Sequence, residues 1–189
     1  MSLVATPGAS NANSYATVAE ADAYHVTRLH SETWSDASAT EKTAALIMAT
    51  RLLDAYYSNP YIHHAIGTVA PPKNTIWAWT GNASGSTQSL CWPRSGMFNR
   101  NGYLIDSALI PQELKDAIAE FAWQLLGTDR TLDNEVDTKG ITQVTAGPIT
   151  LKFKEDQYSK VMPDAVQGLL IPSWIVYIYG VLPPVFQVL

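Results

Sequence analysis

The stretch Ser38-Ala39-Thr40-Glu41 narrows the fold of this chain most. A hydroxyl three residues ahead of a glutamate forms a capping box, in which each side chain bonds the other's backbone N–H and satisfies donors that a helix start leaves bare. Behind it, Ala45, Met48, Ala49, Leu52 and Tyr56 recur at helical spacing, which predicts a helix over about 39–57 with one buried face. Lys42, Arg51 and Asp54 fall away from the centre of that face, and Asn59-Pro60 supplies the stop.

The same signal occurs earlier, at Thr17-Val18-Ala19-Glu20, and predicts a helix to about His30. Its stripe is Ala21, Tyr24 and Arg28, with Val18, His25 and Leu29 beside it. A third helix follows Ile110-Pro111, with proline at the first helical position, where its missing N–H costs nothing. Leu114, Ala117, Ile118, Phe121 and Leu125 form its apolar stripe, and Gly127 is a natural end. A short helix is expected over about 163–170. Ile141, Val144, Ile149, Leu151 and Phe153 alternate around Ala146-Gly147-Pro148, the pattern of a β-hairpin over about 141–153. The reading is therefore mainly α: a small bundle of three to four helices with a protruding β-hairpin and an extended apolar C-terminal arm. Residues 1–14 read as an N-terminal arm, 15–170 as one helical domain carrying a loop-rich insert at 58–109, and 171–189 as a docking arm.

From Ile171 to Leu189 no side chain is charged. The length approaches a membrane span, but Pro172, Pro183, Pro184 and Gly180 interrupt it and no basic residues flank it, so no membrane role is expected. The β-branched and aromatic run Trp174–Tyr179 prefers an extended conformation. Two readings remain: a strand in the chain's own core, or an arm that lies in an apolar groove, or adds a strand, on a neighbouring subunit. The second is favoured, because only 15% of the 189 residues are charged while 47% are hydrophobic. A monomer tolerates only small exposed apolar patches, so partners are expected to cover some of that surface. The candidate contact residues are Ile141, Val144, Ile149, Leu151 and Phe153 on the hairpin, and Pro172, Trp174, Ile175, Tyr177, Tyr179, Leu182, Pro183, Phe186 and Leu189 on the arm.

The formal net charge of −5, with 12 Lys and Arg scattered and never in a run, argues against a surface that neutralises phosphates. Trp77, Trp79 and Trp92 could stack on unpaired bases, but only Lys73, Arg94 and Arg100 lie near them, and packing is the better reading. Cys91 stands alone, which leaves no disulfide framework and fits a reducing cytosol. Lying between Leu90 and Trp92, it reads as a packed small hydrophobe. The start of the chain has no signal-peptide pattern. Four histidines are present. Asp22 could orient His25, His30 is out of phase with it, and His63-His64 sits in a loop. All four read as surface or capping residues, without metal-ligand spacing. No nucleophile elbow or phosphate loop occurs, and Gly81–Ser86 reads as a flexible loop. No catalytic residue, cofactor or metal is expected.

Several stretches together match a known pattern: Ser14–His25, Ala44–Asp54, Leu90-Cys91-Trp92-Pro93-Arg94, Ile110-Pro111, and Val144–Ile149. They resemble a phage protein family labelled as DnaT-like single-stranded-DNA-binding proteins, whose members look like head–tail connectors of long-tailed phages. The resemblance runs over about 14–170. It implies a structural virion protein and not an enzyme: an adaptor ring in the neck, twelve-fold, assembled in the host cytoplasm. The ring would lie between the portal protein and a stopper or tail-completion protein, with double-stranded DNA passing through its bore without specific binding. The alternative is the single-stranded-DNA-binding module that the label names. The apolar segment beyond Pro172 departs from the family pattern.

Overall fold

The computed structural model describes residues 2–58, 75–131, 143–146, 149–152 and 162–179. It is mainly helical, and two of its helices open as the capping boxes require. In α1 (Val18–Val26) the Thr17 N–H donates to Glu20 Oε2 at 2.7 Å, and the Glu20 N–H donates back to Thr17 Oγ1 at 3.2 Å. The helix ends about one turn before the expected His30. The Thr27 N–H and hydroxyl both turn back to the Tyr24 carbonyl, the Arg28 guanidinium donates to the carbonyls of Leu29 and His30, and His30 takes a left-handed φ of 57° that reverses the chain. Leu29, expected beside the apolar stripe, is consequently exposed. A single turn, α2 (Glu32–Ser35), was not foreseen. It carries Trp34 into the core, where the indole N–H donates to Asp22 at 2.8 Å.

The central helix α3 (Ala39–Ser58) is capped by Ser38 and Glu41. Its buried face is rotated from the expected stripe. Leu46, Ala49, Thr50, Leu53 and Tyr57 are fully enclosed, whereas Met48, Leu52 and Tyr56 lie at the margin. The reason is tertiary: α3 packs against both α4 (Gln112–Gly127) and β1 (Thr75–Trp79), so the buried arc is set by two neighbours rather than by the hydrophobic repeat alone. The buried Thr50 hydroxyl accepts from the Tyr15 N–H at 3.3 Å. Helix α4 starts one residue later than expected, with Pro111 as its extended N-cap rather than its first helical residue, and buries Leu114, Ala117, Ile118 and Phe121, while Leu125 is half-buried. Ala119 and Ala122 bury a second side, because α1, α2 and α5 (Asp164–Leu169) also pack on this helix. Small side chains permit such close approach.

Among the described residues, three two-stranded antiparallel sheets accompany the helices. β2 (Asn82–Ala83) pairs with β3 (Arg94–Ser95), and β4 (Gln143–Ala146) with β5 (Ile149–Lys152). The latter pair is the expected hairpin, in the register Val144↔Leu151 and Ala146↔Ile149. The third sheet corrects the reading of the C-terminal segment. β6 (Ile175–Tyr179) pairs with β1 of the same chain, Trp79↔Ile175 through Thr75↔Tyr179. A 3-10 turn, Pro172–Trp174, precedes it, and Ile171 and Trp174 are buried. The Trp174 indole N–H donates to the Phe98 carbonyl at 2.8 Å. The segment Ile171–Tyr179 is thus not a free arm but part of the chain's own fold. Pairing with β1 gives the backbone of Ile175–Tyr179 its partners, and Trp174 is fully buried with its ring against Trp92.

Residues 58–109, expected as a loop-rich insert, also supply core. Tyr57, Trp79, Trp92 and Trp174 form a continuous series of rings, with successive centroids 4.6, 5.7 and 4.9 Å apart. Residues 2–14, expected as an arm, close as a loop: the Val4 N–H donates to Asn13 Oδ1 at 2.8 Å, the Asn13 N–H returns to the Val4 carbonyl, and Ala12 is buried.

Truncation after residue 170 is expected to lower the chemical-denaturation midpoint, and Trp174→Ala to cost about 3–5 kcal/mol, as for other buried aromatic residues. Urea unfolding followed by tryptophan fluorescence measures both. An unchanged midpoint in the truncated chain would return this segment to the status of an arm.

Candidate interaction surfaces

The buried polar groups show which side chains the fold consumes. At the first junction, Tyr15 donates its hydroxyl to Asp54 Oδ1 at 2.5 Å, the Cys91 N–H donates to Asp54 Oδ2 at 3.0 Å, and the Trp92 N–H donates to the Tyr15 hydroxyl at 3.1 Å. Burial raises the Asp54 carboxyl above its usual range against the pull of these bonds. Burial and the adjacent carboxylate push the Tyr15 phenol well up, so it stays a donor. Arg94 spends its guanidinium on the carbonyls of Thr80, Cys91 and Gly81, at 2.7, 3.1 and 2.8 Å. Gly81 has a φ of 64°, and a Cβ there would meet the Ser95 carbonyl oxygen at 2.3 Å, so the turn requires glycine. The expected flexible loop is anchored on this clamp.

At the second junction, Arg28 grips Glu120 through two nitrogens, at 2.6 and 3.0 Å, and lies 3.6 Å from the centroid of the Trp123 ring. Tyr24 and Gln124 donate to the same carboxylate. Burial alone would raise Glu120, but these bonds and the Arg28 charge outweigh it and hold the carboxyl below its ordinary range. Lys42 pairs with Asp22 at 3.0 Å, and Lys115 with Glu20 at 2.5 Å. His25, expected at the surface with Asp22 as its orienting group, is instead buried. Its ring stacks on Trp34 at 4.6 Å, its Nε2 faces the Ala119 carbonyl at 3.2 Å, and burial lowers its pKa. Asp22 serves Trp34 and Lys42.

Among the described residues, Val26 and Leu29 are exposed on the α1 side, and two further surfaces carry apolar side chains. The first is a tip over residues 97–109. Met97 is buried beneath it, Phe98 and Leu104 face each other across an antiparallel bridge, and the Asn99 side chain accepts from the N–H groups of Asn101 and Tyr103. Phe98, Tyr103, Leu104 and Leu109 are exposed on it. Sequence reasoning passed over this tip. The turn Asn99-Arg100-Asn101-Gly102 between apolar flanks was its signal. The second is a groove of about 690 Å³ along the outer side of α3, lined among the described residues by Ala44, Ile47, Met48, Arg51 and Leu52, with Ala39, Thr40 and Thr43 at one end.

Of the candidate contact residues, Val144, Ile149 and Leu151 occupy one alternating set of positions on the β4–β5 hairpin. Pro172 is exposed, Trp174 is enclosed, Ile175 is half-buried, and Tyr177 and Tyr179 lie on β6 opposite Trp77 and Thr75. Ile141, Phe153, Leu182, Pro183, Phe186 and Leu189 lie outside the described residues, as do His63 and His64. Trp79 and Trp92, weighed as base-stacking groups, are core residues. Among the described residues no cluster of three His, Cys, Asp or Glu is placed to hold a metal, and no helix is long and apolar enough to cross a membrane.

The family model described as "Putative DnaT-like ssDNA binding protein" matches residues 1–65 and 72–176, and the chain belongs to that family. The match spans both junctions and the tip and ends at the second residue of β6, so it reaches past Pro172, where the departure from the family pattern was expected to begin. No curated protein and no solved structure matches the chain.

Glu120 also sets a pH dependence. Its folded pKa lies below the unfolded value, so its contribution to stability is present above the ordinary glutamate range and is lost as pH falls through the lowered value. Thermal unfolding from pH 7 to 2 is expected to show a shallower acid limb for Glu120→Gln than for the parent chain, along with a lower Tm at pH 7.

Proposed function

We propose that this chain is a structural subunit of a tailed-phage virion, an adaptor that self-assembles into a ring at the neck between portal and tail, and that it works by contact rather than catalysis. The observation that carries this reading is where the fold spends its aromatic and cationic groups. Trp34, Trp79, Trp92 and Trp174 are in the core. Arg28, Lys42 and Lys115 are held in ion pairs, and Arg94 on backbone carbonyls. Among the described residues, Phe98, Tyr103, Leu104 and Leu109 are left outward on an apolar tip, the kind of surface that mates with other protein. Head-to-tail contacts between unlike patches close into rings. The net charge of −5 suits a bore that lets DNA slide, since phosphate neutralisation is what drives non-specific grip.

The family description favours a second reading, a single-stranded-DNA-binding module. It needs a stacking residue beside a basic track. Trp77, on β1, is the tryptophan to test.

Two measurements separate the readings. Virion electron microscopy with an antibody to the chain is expected to label the neck, and label confined to infected-cell DNA would sink the adaptor reading. Filter binding to an oligonucleotide at low salt is expected to show no retention. Salt-sensitive retention, weakened in Trp77→Ala, would establish the second reading instead.

A further inference from the structure

We propose that the apolar tip of one copy docks on the corner between α1 and α2 of the next copy. Phe98, Tyr103, Leu104 and Leu109 meet Val26 and Leu29, and Arg100 of the tip pairs with Glu32 of the corner. The proposal rests on the ring reading and names its contact.

The four large apolar side chains left most in water among the described residues fall in two places. Val26 and Leu29 are 84% and 80% exposed at the corner, and Tyr103 and Leu104 are 71% and 67% exposed on the tip, with Leu109 and Phe98 beside them. Neither place is loose. At the corner, the Thr27 and Arg28 N–H groups bond the Tyr24 and His25 carbonyls, and Arg28, fixed on Glu120, donates to the carbonyls of Leu29 and His30. On the tip, the Asn99 N–H bonds the Tyr103 carbonyl and the Ile105 N–H the Met97 carbonyl, both at 2.8 Å, and the Trp174 indole holds the Phe98 carbonyl from below. Side chains presented on ordered backbone lose little conformational entropy on docking.

The two patches do not cover each other within one molecule. The tip runs into α4 at its N-terminal end, through Leu109, Ile110 and Pro111. The corner lies against the other end, where Arg28 reaches Glu120 and covers the Trp123 ring. Pro111 and Trp123 stand about 18 Å apart along that helix, at the ordinary rise per residue. Unlike patches at opposite ends of a subunit supply the head-to-tail contact that closes into a ring.

Charge then selects the partner. The corner exposes Glu32 and Asp36, and no side chain among the described residues pairs with either, since Arg28 is spent on Glu120 and Lys42 on Asp22. Arg100 is the tip's one cation. It is exposed, and it bonds the Leu169 carbonyl but no carboxylate among the described residues. Asp106, the tip's other charge, is held by the Ala108 N–H at 2.9 Å. A nucleic acid suits this pair of surfaces poorly, because one guanidinium makes no basic track and the corner is acidic.

The test uses the full chain and sedimentation velocity across concentration. Arg100→Glu and Glu32→Arg are each expected to weaken self-association by about tenfold or more, and the double variant to recover to within about threefold of the parent. Val26→Ser/Leu29→Ser and Tyr103→Ser/Leu104→Ser are each expected to lose assembly with an unchanged urea midpoint. Mixing these two is expected to give one-to-one pairs and nothing larger, since one intact tip and one intact corner remain. Failure of the double variant to recover, or serine variants that assemble like the parent, would overturn this contact while leaving the ring reading in place. A parent chain that is monomeric at every concentration would overturn both. One that stops at dimers would overturn the ring reading, while the charge swap still decides the contact. Tip variants that lose oligonucleotide retention rather than assembly would reassign the tip to DNA.

Discussion

The enclosure of Trp92 is the constraint on which the rest of the structure depends. Its ring lies between Trp79 on β1 and Trp174 before β6, and Tyr57 of α3 continues the series. Four segments far apart in the chain meet at that point. Aromatic pairs of this kind contribute roughly 0.5–1.5 kcal/mol each beyond the area they bury. Beside it, the Trp92 N–H is held by Tyr15, which is held in turn by Asp54. Apolar enclosure and polar registration therefore act on one residue. The carboxylate at Asp54 is tolerated because it accepts two bonds, and an unpartnered charge in that place would cost several kcal/mol.

This arrangement brings three of the sequence stretches quoted above to one place. Tyr15, Asp54 and Cys91-Trp92-Pro93-Arg94 belong to three of the matching stretches and form one junction. The Trp92–Pro93 bond is cis, and Arg94 fastens the turn that follows to three carbonyls. These stretches meet in the packing of the fold. The tip over residues 97–109 emerges directly from that junction, with the Trp174 indole holding its base.

Local chemistry was legible in the chain. Both capping boxes, the helix that follows Pro111, the short helix α5 and the existence of the β4–β5 hairpin follow from neighbouring residues, because caps and turns are interactions over a few positions. The rotation of the α3 face was not legible. Periodicity names an apolar stripe but not how many neighbours will cover its edges. His25 was misplaced for a related reason: its stacking partner Trp34 sits on a turn with no sequence signature, and its hydrogen-bond partner is a carbonyl of α4.

The C-terminal run is the clearest division between the two levels. The sequence by itself determined that Ile171–Tyr179 is uncharged, prefers extension and must be covered by something apolar. Only the tertiary structure decided what covers it: β1 of the same chain, with Trp174 closing the aromatic series over Trp92. Hydrophobic burial is non-directional, so composition sets the demand for a partner. Strand register and ring packing, which depend on residues nearly a hundred positions away, choose which one it is.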